Sequence, residues 1–193
     1  MKKMIQASMI ATIAMLFILA SCSKDPVTPA PVTLVEKTDS LKVNFSTTSA
    51  FTFFSFKNDA LVANTDSATA KWDFGLRLTT FILNSHAYGP GNAGAILKSG
   101  IYGTCKTAPV SGYAYDTTAS QKGIKDGSWY DYNPTTHSFV PKAGQTFFFR
   151  TSDNYYVKME LLAVDYEPFV GPTPVKLIYR FRFTYQANGS ENF

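Results

Sequence analysis

A chain of 193 residues allows one domain or two small ones, and its 45% hydrophobic content supplies a sizeable core. The formal charge of +4 includes Lys2 and Lys3, and without them it is too weak and too scattered to argue for a nucleic-acid partner. Two histidines exclude a His-rich metal cage, and two cysteines provide no disulfide framework, so the core must hold the fold.

The N-terminus reads as a targeting segment. Lys2 and Lys3 form a positive start, and the apolar run Met9 to Ala20 is too short to span a bilayer. Leu19-Ala20-Ser21-Cys22 then resembles a bacterial lipobox, with residues 1–21 as the signal peptide and Cys22 as the lipid attachment site. Two or more acyl chains on Cys22 would anchor the protein firmly to a membrane. Cys105 is then left without a partner and is expected to be a small buried hydrophobe. Residues 22–37 carry Pro26, Pro29 and Pro31 and read as an extended tether, with the folded domain spanning 38–193.

Sixteen Phe and eleven Tyr favour strands. Leu41 to Phe45 reads as a weak first strand and Phe51 to Phe56 as a stronger one. Lys57-Asn58-Asp59 follows as a turn, with Ala60 to Ala63 as the hairpin partner. From Trp72 the alternation is strict: Trp72, Phe74, Leu76 and Leu78 on one face, Asp73, Gly75, Arg77 and Thr79 on the other, the period of a half-buried strand. The apolar run continues to Leu83. A glycine-rich loop, Ser85 to Gly94, follows and carries His86. Thr104 to Ser128 shows no sustained period and reads as long loop, a frequent place for function. Trp129 to Tyr132 resumes strand character, Asn133-Pro134 marks a turn, and Ser138 to Val140 and Thr146 to Arg150 follow.

The last two strands read as half exposed. Tyr155, Val157, Met159, Leu161 and Ala163 share a face opposite Lys158 and Glu160. Leu177, Tyr179, Phe181, Phe183 and Tyr185 share another, opposite Arg180, Arg182, Thr184 and Gln186. Pro168 to Pro174 connects them with three prolines and a glycine and cannot be helix. The expected fold is all-β, an antiparallel sandwich or barrel-like single domain with long loops.

Gly89-Pro90-Gly91-Asn92-Ala93-Gly94 matches G-x-G-x-x-G literally, but Pro90 interrupts it and no helix follows to receive a pyrophosphate. Its glycines are expected at positive-φ positions of a loop. The chain has no G-x-S-x-G, H-E-x-x-H or C-x-x-C, and its aspartates have no telling spacing, so nothing points to an enzyme. His86 and His137 both fall on loops and are the candidate ligands for a haem iron, which imidazole binds readily. Met159 lies on the inward stripe of its strand and reads as core.

The order of four segments resembles the HmuY family of haem-binding bacterial lipoproteins. They are FTFFSFKNDALV; KWDFGLRL with its Asn/Gly-rich loop; GSWYDYNPTTHSFVPKAGQTFFFRTSDNYYVKMELLAVDY; and YRFRFTYQ, together covering most of Phe51 to Gln186. The resemblance implies an all-β domain that binds haem, b-type and carried as cargo, between loops. It also implies transfer to an outer-membrane receptor, and an outer-membrane, lipid-anchored, cell-surface location. Family members hold iron with His or Met pairs from loops. Gly103 to Ser128, where one ligand is expected, contains neither, so His86 and His137 stand on chemistry and loop placement. The alternative is a lipid-anchored structural or adhesive module that binds a glycan or protein through its aromatic residues.

Overall fold

The computed structural model describes residues 31–170 and 173–193. The expected signal segment, the lipobox and Cys22 lie outside the described residues. The strands are β1 (Glu36–Asn44), β2 (Thr52–Ser55), β3 (Ala60–Val62), β4 (Phe74–Arg77), β5 (Thr80–Leu83), β6 (Gly94–Ser99), β7 (Tyr130–Asn133), β8 (Ser138–Pro141), β9 (Gln145–Arg150), β10 (Tyr156–Val170) and β11 (Thr173–Gln186). Five form one antiparallel sheet, in the order β1-β11-β10-β9-β6. Four form a second, β3-β2-β4-β5, and β7 and β8 form a separate hairpin. The fold is the expected all-β class, a sandwich rather than a closed barrel.

The alternating stripes read from the sequence build the core. Leu41 and Val43, Phe147 and Phe149, Val157 and Met159, and Leu177 to Phe183 at every second position face Phe54, Phe56, Phe74, Leu76, Phe81 and Leu83 of the smaller sheet. The rings meet edge-on or tilted, as in Phe54 against Phe181 at 5.2 Å and Phe56 against Phe149 at 4.9 Å. Each such fully buried side chain contributes roughly 1.5–3 kcal/mol. Met159 is 0% exposed and is core.

Four expectations need correction. The weak first strand is a nine-residue strand, paired with β11 along its whole length from Glu36↔Thr184 to Asn44↔Lys176. The alternation from Trp72 breaks at its start, because the chain bends at Asp73 before β4 begins. Trp72 packs on the outer side of the small sheet, 4.5 Å from Phe53, with Ile82. The Asp73 carboxylate is turned inward, accepting hydrogen bonds from the Phe56 N–H (2.8 Å) and the Ser152 N–H (3.0 Å). It thereby ties the β2 end of one sheet to the β9–β10 turn of the other. The face expected to be solvated is covered: a Cβ on Gly75 would meet the Phe53 ring at 2.9 Å.

β10 does not stop at Ala163. A bulge between Leu161 and Ala163 inserts one residue, and strand pairing continues to Val170↔Thr173. The bulge reverses the parity, so Val164 and Tyr166 pack on the core side in place of Ala163. Lastly, the outer face of the large sheet is half covered. Thr184, Gln186 and Lys158 are buried beneath Tyr102, Cys105 and the segment ending at Phe193. Tyr102 and Thr184 hydroxyls bond at 2.6 Å, and the Lys158 ammonium donates to the Cys105 carbonyl at 3.0 Å and lies over the Tyr102 ring. Cys105 itself is only partly buried.

Candidate functional site

The two histidines sit in similar backbone and dissimilar surroundings. Both are exposed, and both take the left-handed region, φ 39° at His86 and φ 51° at His137. His86 follows β5 in the glycine-rich loop, its ring edge-on to Tyr115 at 6.0 Å. That loop is braced rather than open. The buried Asn84 amide donates to the Trp72 and Thr69 carbonyls, and its side-chain oxygen accepts from the Gly91 N–H at 2.9 Å. The sequence suggests positive φ for these loop glycines; none of Gly89, Gly91 and Gly94 has it, and they serve close approach instead, since a Cβ on Gly89 would fall 2.1 Å from Asn84 Oδ1.

Asp116, 0% exposed, holds the neighbouring long loop. Its carboxylate accepts from the Leu83 N–H and the Gly123 N–H, each at 2.7 Å, and burial raises its pKa. A polar cleft of about 360 Å³ lies nearby over Asp73. Its lysines are already paired, Lys57 with Asp153 and Lys71 with Asp66, each pair at 2.9 Å. Neither that cleft nor the one at His137 includes His86.

His137 lies at the tip of the β7–β8 hairpin. The Asn133 side chain accepts from the Thr135 and Thr136 N–H groups, which fixes the turn and delivers His137 just before β8. Its Nδ1 is 2.7 Å from the Tyr132 hydroxyl. Beside them opens a cleft of about 640 Å³ between this hairpin and the β10–β11 arm, walled by Phe45, Phe139, Tyr166 and Pro174. Tyr166 reaches it only because of the bulge. Its hydroxyl accepts from the Phe139 N–H at 2.6 Å, and burial raises its pKa. Phe45 is brought there by its own N–H, which donates to the Val175 carbonyl at 2.9 Å.

The structure does not bring His86 and His137 together. Gly94, at the end of the His86 loop, pairs with Arg150, which pairs with Tyr156 at the start of β10. His137 lies by Tyr166, ten positions further along that strand, roughly 30 Å at about 3.3 Å per residue. One iron cannot take both as axial ligands. Sequence reasoning did not single out Tyr132, Phe45 or Tyr166. The Asn133-Pro134 turn flanked by short strands was the available signal for Tyr132, whereas Tyr166 depends on a bulge that no local pattern announces. Among the described residues, no group of three or more His, Cys, Asp or Glu could hold a metal ion, and no helix is long and apolar enough to cross a membrane.

No family model and no curated protein matches the sequence. Solved structures resemble it in fold. Apo PinO from Porphyromonas gingivitis superposes with a TM-score of 0.50 at 9% identity, covering 79% of this chain and 98% of its own. The chain shares the fold of PinO. A HmuY-like heme binding protein from Bacteroides vulgatus gives 0.47 at 11% identity, covering 76% of this chain and 90% of that one. An apo HmuY analog from Tannerella forsythia gives 0.46 at 13%, with 80% and 98% covered. Two of these structures carry the HmuY name in their own descriptions.

Proposed function

We propose that the chain binds haem in the cleft between the β7–β8 hairpin and the β10–β11 arm. The observation that carries this reading is the pairing of an aromatic-walled cleft with an imidazole at its rim. The cleft's volume, about 640 Å³, falls within the roughly 300–1,000 Å³ of small-molecule sites. Phe45, Phe139, Tyr166 and Pro174 offer flat apolar surfaces to a porphyrin, and the donor set beside them, His137 with Tyr132, suits iron. Haem bound here is b-type cargo, held without a covalent link. His86, at the far end of β10, takes no part.

In this reading Cys22 carries the lipid, the residues after it tether the domain to the outer membrane at the cell surface, and captured haem passes to an outer-membrane receptor. The test uses the chain from residue 31 onward, which keeps both sheets complete. Haemin is titrated and the Soret band followed for the wild type, His86→Ala and His137→Ala. A saturable one-to-one shift that is weakened or altered in His137→Ala and unchanged in His86→Ala is expected. No saturable shift with oxidised or reduced haem would overturn the reading and favour a lipid-anchored module that binds a glycan or a protein.

A further inference from the structure

The cleft's inventory of iron donors is short. Among the described residues lining it there is one histidine, no methionine and no cysteine. His86 is too far away, and Met159 is sealed in the core at 0% exposure. Two phenols are present, and they are not equivalent. The Tyr166 hydroxyl already accepts a backbone N–H from Phe139 and is partly buried, which favours its neutral form. Tyr132 is 49% exposed, and the partner of its hydroxyl among the described residues is His137 Nδ1 at 2.7 Å. Its ring is held by strand register, Tyr132 opposite Phe139 with centroids 5.5 Å apart, whereas His137 sits on the turn. Phenol oxygen is a hard donor that suits Fe(III), and tyrosine is one of the side chains that bind haem iron.

Resting on the haem reading above, we propose that Tyr132 is the residue that holds the iron, with His137 positioned behind it, so that the site takes oxidised haem and releases it on reduction. Tyr132 would exchange its O–H bond for a bond to Fe(III), displacing the water or chloride that haemin brings, and its proton would pass to His137 Nδ1, 2.7 Å away; no electron moves. A one-electron chemical reductant such as dithionite would weaken the bond and release the haem, because a phenolate loses its preference as the iron becomes Fe(II). Tyr132 then recovers the proton from His137. His137 is a positioning residue in this scheme, an outer partner of the kind whose loss costs about 10–100-fold in metal affinity.

The experiment compares the wild type, Tyr132→Phe and His137→Ala over residues 31–193. Tyr132→Phe keeps the ring against Phe139, and its thermal unfolding is expected to match the wild type. Haemin binding is read by titration and by resonance Raman. Ga(III) and Zn(II) protoporphyrin are titrated by fluorescence as redox-inert probes. Tyr132→Phe is expected to lose the iron–phenolate ring modes and to bind haemin and Ga(III) protoporphyrin at least about tenfold more weakly, with Zn(II) protoporphyrin changed less. His137→Ala is expected to keep the phenolate modes and bind more weakly, and dithionite to release haem from the wild type. Saturable haemin binding without phenolate modes, unaltered in Tyr132→Phe, would overturn the Tyr132 assignment and leave the haem reading standing. No saturable binding of any porphyrin would remove the haem reading itself.

Discussion

The two ends of β10 are built on opposite principles. At the Tyr156 end, three polar side chains with little or no exposure, Asp73, Asn84 and Asp116, are spent on satisfying backbone N–H and C=O groups of loops that fold over the sheets. At the Tyr166 end, the two-stranded hairpin leans on a long arm through the hydrogen bond from Phe139 to Tyr166 and a few aromatic contacts, and a cleft remains between them. Each end displays an exposed histidine with a left-handed backbone. Position on a loop therefore says little about function; what distinguishes the two is whether neighbouring polar groups are consumed by the fold or left facing a cavity.

Breaking the closed end should cost stability and leave the cleft intact. Asp116→Ala strands the Leu83 N–H in the interior and leaves the half-buried Gly123 N–H without its partner, and at about 1–3 kcal/mol for an unsatisfied buried group the expected loss is about 3 kcal/mol by urea unfolding. Haemin affinity of the protein that remains folded should be unchanged. An Asp116 variant that lost affinity as well would show the two ends to be coupled.

The pH dependence of stability sharpens the comparison, because Asp73, which contributes to it, belongs to the same end. Burial pushes the Asp73 carboxyl up to about 6 from 3.8, with the Ser152 and Phe56 N–H groups opposing the rise. The folded protein therefore binds this proton more tightly than the unfolded chain. The contribution favours folding most below about pH 4, falls as pH rises to about 6, and is flat beyond, about 3 kcal/mol in all at about 1.4 kcal/mol per unit. The difference in unfolding free energy between wild type and Asp73→Asn, measured at pH 4 and pH 7, should change by about that amount. A difference that does not vary with pH would mean that Asp73 titrates normally.

The smallest effects on stability belong to the histidines. His86→Ala and His137→Ala, both exposed, should each stay within about 0.5 kcal/mol of the wild type by thermal or urea unfolding. The contrast lies in binding: about tenfold or more for His137→Ala and none for His86→Ala. The reverse pattern would move the site to the other end of the sheet.

Much of the fold was legible because a two-residue period needs no tertiary information. Leu177, Tyr179, Phe181 and Phe183 had to share a face, and that face is the core. Where the reading went wrong, a long-range contact had overridden the local pattern. Trp72 left its stripe because the bend at Asp73 is held by groups from the turns that follow β2 and β9. Lys158 and Thr184 left the solvent because Tyr102, far away in sequence, lies over them. The candidate site divided in the same way. His137 was visible as a loop histidine beside an Asn-Pro turn, and its partner Tyr132 lay within five residues. The cleft itself was not visible, since Phe45, Phe139 and Tyr166 come from three distant segments. The sequence by itself determined the all-β class and the inward stripes, because side-chain alternation is a property of the strand. Only the tertiary structure decided which histidine faces a cavity, because a one-residue bulge in β10 and the register of β7 with β8 choose the side chains that meet there.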